Sequence, residues 1–209
     1  MHVAPIPGSG SRPQGQDRLI RTFVCIELPG EVQDRIDTLQ SRLKAAKADV
    51  SWVRPNMIHL TLKFLGEVPA SRIGSICSSV ERTIQNVRSF SIEVGGTGCF
   101  PSLRNPRVLW IGIVSPAVEL NRLQASIASD LESSGFRKEE RPFSPHLTLG
   151  RVRSQFNARK LGDELIQLGF EKVSFEVLRI VVMRSDLKAR GAVHTPLATL
   201  TLPTTGLHV

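Results

Sequence analysis

One tetrapeptide occurs twice in this chain, as His59-Leu60-Thr61-Leu62 and as His146-Leu147-Thr148-Leu149. Read as a strand, successive side chains alternate between faces, so His and Thr share one face and the leucines share the other. Leucines toward a core, with an imidazole and a hydroxyl toward a cleft, make a strand that carries chemistry on its polar side. With only five histidines in 209 residues, two such matches by chance are roughly a one-in-ten-thousand event. The copies are 87 positions apart (146 − 59), and so are Pro29 and Pro116, each between an apolar strand and a helix. A repeat of this kind implies two similar units packed face to face about an approximate two-fold axis. It would bring two histidines that are remote in sequence to one cleft.

Hydrophobic periodicity fills in both halves. Strands are expected at 21–28, 50–53 and 57–65, and at 90–94 continuing toward Pro101. Helices carry Val32, Ile36, Leu39 and Leu43, then Ile73, Ile76, Cys77, Val80 and Ile84, with charges opposite. Gly95-Gly96-Thr97-Gly98 reads as a bulge or turn. The second half repeats the scheme: strand 108–114, a helix opened by Pro116 and stopped near Gly135, the second motif strand, and a helix with Leu161, Leu165 and Leu168 stopped at Gly169. A long strand at 173–183, a turn region at 185–191 and a last strand at 196–202 follow. Short strands with hairpin-like links favour antiparallel sheets with helices outside. The expected fold is therefore α+β and bilobal, two pseudo-two-fold-related lobes around a central cleft. Residues 1–18 read as a flexible leader and 19–209 as a single bilobal domain.

No apolar run approaches the ~20 residues that a membrane span needs, and the Pro-, Gly- and Ser-rich start does not resemble a signal peptide. Cys25, Cys77 and Cys99 are odd in number and lack a CxxC, which points to reduced thiols and a cytoplasmic protein. The net charge of +8 and pI near 10.1 favour a polyanionic partner such as nucleic acid or a nucleotide.

Histidine both takes and gives a proton near neutral pH. One on each side of a scissile bond suffices for in-line transfer at phosphorus: the neutral ring deprotonates the attacking oxygen and the protonated ring serves the leaving oxygen. Thr61 and Thr148, on the same strand faces, can donate to a non-bridging phosphoryl oxygen. Arg151, five residues past His146, can clamp phosphate. Lys63 alternates with Thr61 onto the polar face and could meet RNA phosphate, whereas Arg104 and Arg107 read as solvated loop charges. By strict alternation Phe64 falls on the leucine face, and only a bulge would turn it to the cleft. Trp110, in an apolar strand, reads as core. No HExxH or other metal-ligand spacing, GxSxG, P-loop or GxGxxG is present, so neither a metal nor a cofactor is expected.

The segments RTFVCIELP, VRPNMIHLTLKFLGEV, PRVLWIGI, RPFSPHLTLGRV and VVMRSDL resemble the RNA 2′,3′-cyclic phosphodiesterase (2′-5′ RNA ligase) family of the two-histidine phosphoesterase superfamily. The resemblance covers nearly everything from Leu19 to Leu202. It implies a metal-independent enzyme that opens RNA 2′,3′-cyclic phosphate ends to 2′-phosphates, or in reverse joins a 5′-hydroxyl through a 2′-5′ linkage. In that scheme His59 donates a proton to the departing 3′-oxygen and His146 activates water. Thr61 and Thr148 hold phosphoryl oxygens, Arg151 contacts phosphate, and Phe64 lies against a base. From the residues alone the donor and acceptor roles are interchangeable. His194 stands where the family often has tyrosine and reads as a surface or turn histidine, while His2 and His208 are terminal. The expected partner is RNA bearing a cyclic phosphate, or a cyclic nucleotide, with the chain a monomer; a non-catalytic nucleotide- or RNA-binding module using the same cleft is the alternative.

Overall fold

The computed structural model describes residues 17–114, 118–188 and 191–204. Nearly all of the leader, Pro116, His2 and His208 lie outside them. The elements run β1 (Leu19–Glu27), α1 (Gly30–Leu43), β2 (Val50–Trp52), β3 (His59–Pro69), α2 (Ile73–Ile84), β4 (Phe90–Ser102), β5 (Asn105–Ile113), α3 (Val118–Ser133), β6 (His146–Val152), α4 (Ala158–Leu168), β7 (Val173–Val177), β8 (Arg179–Lys188) and β9 (Gly191–Thr201). The apolar residues that set the helical periodicity, Val32, Ile36, Leu39 and Leu43 in α1 and Leu120, Leu123, Ile127 and Leu131 in α3, are all buried.

The strands form one antiparallel sheet in the order β7-β4-β5-β6-β3-β1-β8-β9, with β2 paired to β6. That order is symmetric about the β6–β3 seam, where the two motif strands meet at a single pair, Leu60 opposite Leu147. One lobe is β3-β1-β8-β9 and the other is β6-β5-β4-β7. The sheet curls until its ends approach: Leu202 N–H donates to Leu178 O (2.8 Å) and Ser89 N–H to Pro203 O (2.9 Å). Leucines of both motifs join the main core on the helix-bearing face. A smaller cluster of Phe23, Cys25, Val181 and Met183 lies on the opposite face.

The lobes are not the two sequence halves. β4, from the first half, pairs with β5 and β7, while β8, from the second, pairs with β1. Helices are exchanged likewise: α1 bonds to β6 through Gln40, and α3 bonds to β3 through Gln124.

Two expectations at the C-terminal end need correction. The apolar run at 173–183 is not one strand: it breaks at Leu178, giving β7 to one lobe and β8 to the other. The supposed turn at 185–191 is mostly strand, because β8 continues to Lys188 and β9 already begins at Gly191. Polar residues at a sheet's end satisfy their backbone in a ladder as readily as apolar ones, so composition hid this hairpin.

Candidate active site in the seam between the lobes

Each motif strand carries one extra residue just after its threonine. Opposite β3, consecutive Val24 and Cys25 pair with Lys63 and Thr61, skipping Leu62. Opposite β6, consecutive Leu109 and Trp110 pair with Gly150 and Thr148, skipping Leu149. These are β-bulges at equivalent positions, 87 residues apart, and each reverses the face on which later side chains emerge. Leu62 and Lys63 are both buried and Phe64 is exposed; Leu149 and Gly150 are both buried and Arg151 is exposed. Phe64 and Arg151 therefore occupy matching places on the motif face, at opposite ends of the seam.

Lys63 is displaced by the same bulge. Its side chain is fully buried and its ammonium pairs with Glu132 of α3 at 2.9 Å. The expectation that it shares a face with Thr61 fails because one inserted residue carries it to the helix side. In the other lobe Gly150 takes this place, where an added Cβ would sit 2.8 Å from Val50 and 3.2 Å from Trp52.

Antiparallel pairing at Leu60–Leu147 puts His59 across from Thr148 and His146 across from Thr61, all four on one face. His59 and His146 are then diagonal neighbours, which in a regular antiparallel ladder lie roughly 7–8 Å apart. His59 Nδ1 lies 2.9 Å from Met57 O, and His146 Nδ1 lies 2.7 Å from Ser144 O. A carbonyl only accepts, so both Nδ1 atoms carry hydrogen, and in each neutral ring Nε2 is left as the basic nitrogen.

The two rings have different surroundings. His59 stacks on Phe23 with centroids 4.6 Å apart and meets the edge of His194 at 5.0 Å. Burial pushes its pKa down to about 4; the Met57 carbonyl works the other way and His194 adds a lesser repulsion. His194 is itself held below the usual histidine range by burial and by Arg54. His146 instead meets Phe100 edge-on at 5.2 Å, and Phe100 packs on Trp110 at 5.4 Å. Trp110 lies across Gly98, where a Cβ would come within 2.3 Å of the indole. Its strand position pairs with Thr148, so it belongs to the motif face and not to the main core expected for it.

A cavity of about 350 Å³ opens beside His59, lined among others by Glu27, Met183, His194, Glu176 and Arg179. It does not reach His146. Phe64, 56% exposed, approaches Phe23 at 6.0 Å. Arg104 and Arg107 are exposed at and beside the β4–β5 hairpin. His194, expected as a surface or turn histidine, lies in β9, because that strand begins at Gly191 and not at 196, and its ring stands against His59. Sequence reasoning missed Gln40 and Gln124, whose side chains donate to the carbonyls of the two bulged leucines at 3.0 and 3.3 Å. One signal was available: Arg54-Pro55 and Arg141-Pro142 precede the two histidines at the same 87-residue offset, extending the duplication into the approach to each motif strand.

The family described as LigT like Phosphoesterase matches the chain twice, over residues 26–110 and 111–193. A protein of Methanothermobacter thermautotrophicus named RNA 2′,3′-cyclic phosphodiesterase is 34% identical over 177 residues, covering 84% of this chain and 95% of that protein. One of the same name from Thermotoga maritima is 31% identical over 175 residues, covering 84% and 91%. The crystal structure of E. coli LigT complexed with 3′-AMP superposes with a TM-score of 0.71 at 27% identity, covering 88% of this chain and 99% of that one. Two matches in tandem, each spanning one His-Leu-Thr-Leu copy, and similarity across most of the chain lead to one conclusion: this chain belongs to the LigT-like phosphoesterase family.

Proposed function

We propose that this protein is an RNA 2′,3′-cyclic phosphodiesterase whose two motif histidines act as acid and base on one phosphorus atom. The carrying observation is that both rings are fixed in the same tautomer by their own chain, on one face, each across from the other motif's threonine. His146 Nε2 takes a proton from water as the water oxygen bonds to phosphorus. The bond from phosphorus to O3′ breaks, and His59 Nε2 gives O3′ a proton, leaving a 2′-phosphate and a 3′-hydroxyl. Thr61 and Thr148 hydroxyls donate to the non-bridging oxygens, and Arg151 offsets their charge. Phe64 offers a face to a base. With a 5′-hydroxyl in place of water the same atoms run 2′-5′ ligation; water at ~55 M favours hydrolysis unless that end is bound.

His59 is neutral near pH 7 in the free protein, yet its role requires a proton. An anionic phosphodiester between the rings supplies the compensating charge, so binding substrate recruits the proton. The activity then follows a bell-shaped pH curve. The acid limb of kcat/KM, which reports the free enzyme, is expected to extend toward pH 4, and the acid limb of kcat to lie higher. Coincident acid limbs would remove this account of the donor.

His59→Ala and His146→Ala are each expected to lower kcat by roughly 10²–10⁴-fold on RNA ending in a cyclic phosphate, with chelation by EDTA without effect. A full-rate His146→Ala enzyme would end the proposal, and binding without turnover in the unaltered protein would favour a non-catalytic module. Product analysis gives the polarity: a 3′-phosphate would contradict the donor and acceptor as placed. One chain supplies both motifs, so the monomer is the working unit, and its three unpaired thiols suit the cytoplasm.

A further inference from the structure

In-line displacement puts the leaving oxygen on the side of its proton donor. With His59 as donor, a premise taken from the proposed function, the leaving O3′ and its ribose face the His59 side of the seam, from which the phosphate on the 5′ side of the same nucleoside is reached. On that side β6 carries Thr148 and Arg151, and Arg153 follows directly after its last residue, Val152. Arg153 is exposed and two residues beyond Arg151 on the same face, about 6 to 7 Å along the strand, close to the step between successive phosphates of a nucleic acid chain. It is also held in place: its guanidinium donates to Ser51 Oγ at 3.0 Å, and Ser51 is the β2 residue paired with Arg151. Among the described residues neither Arg151 nor Arg153 forms a salt bridge.

The opposite end of the seam has an aromatic ring at the place equivalent to Arg151. There β3 presents Phe64, whose N–H points to the carboxylate of Glu139 at 3.4 Å. A polyanion leaving the cleft along β6 meets two arginines that no carboxylate neutralises among the described residues. We propose that Thr148, Arg151 and Arg153 form a phosphate ladder along β6 and the residue that follows it, with Arg153 binding the first internucleotide phosphate of single-stranded RNA. The ladder distinguishes an RNA end from a free cyclic mononucleotide, which has no phosphate to place on Arg153.

The test compares a 2′,3′-cyclic mononucleotide with a trinucleotide ending in the same cyclic phosphate. Arg153→Ala is expected to raise KM for the trinucleotide about tenfold, leave the mononucleotide within twofold, and make the trinucleotide's kcat/KM less sensitive to salt. Arg153→Lys should restore part of the loss. Ser51→Ala, which removes the tether but keeps the charge, should shift neither substrate by more than about threefold. Equal losses on both substrates, or none on either, would overturn the ladder. Trinucleotide affinity is measured beside turnover: Arg153-dependent affinity without turnover would sink the catalytic reading and leave the ladder standing. Turnover with Arg153-independent affinity would do the reverse.

Discussion

Burial makes His59 a different acid from an exposed histidine, and stability records the difference. Its folded pKa is about 4, against roughly 6.5 for an unfolded histidine. Between those values the unfolded chain binds the extra proton, so stability rises with pH across the window. The contribution is complete above about pH 6.5 and lost below about pH 4, at most roughly 3 kcal/mol. Urea midpoints at pH 7 and pH 4.5 measure it: the unaltered protein should lose more on acidification than His59→Phe, and equal losses would show that the ring is not held neutral. Lys63 makes a complementary case, since its charge is sealed under the sheet against Glu132, itself partly exposed. Glu132→Gln should cost roughly 2–3 kcal/mol by leaving a buried ammonium unmatched, whereas Lys63→Met, which removes the charge and keeps the bulk, should be close to neutral. Neither should alter KM, and a raised KM for Lys63→Met would return that residue to the cleft.

At the scale of elements, the site depends on the two bulges. Without them Phe64 and Arg151 would point into the helix layer, as alternation suggests. Each bulge is held by a buried glutamine from a helix of the other sequence half, and Gln40 also donates to Val53 O at 2.8 Å. Gln40→Leu should therefore cost more stability than Gln124→Leu, roughly 2 against 1 kcal/mol, because Gln40 donates to two carbonyls and Gln124 to one. It should also raise KM by loosening Arg151; an unchanged KM would mean that β2 and β5 hold the bulge without it. The strands and helices themselves were legible, since Val32 to Leu43 and the doubled His-Leu-Thr-Leu state their periods plainly. The bulges were not: Gly150 stands in the β6 bulge, but the equivalent Leu62-Lys63-Phe64 contains no Gly or Pro, and an inserted residue there is visible only against the partner strand it fails to match. Leu178, where one apolar run divides between lobes, was hidden for the same reason.

For the whole molecule, exchange of β4 and β8 has a mechanical consequence. The repeat in sequence suggests two units able to fold separately, but each lobe draws its central strands and its helices from both halves. Neither half can complete a lobe alone, so the lobes should lose structure together. The placement of the two tryptophans makes this measurable: Trp52 on β2 and Trp110 on β5 both belong to the β6 lobe. Fluorescence therefore follows one lobe while far-UV circular dichroism follows the sum of both. In urea the two signals should trace one transition with a common midpoint, as two-state unfolding requires. Fluorescence that changes well before the dichroism would mean that the β6 lobe opens by itself. The exchanged strands would then be a weak clasp, and the two histidines would be kept opposite one another chiefly by the Leu60–Leu147 seam.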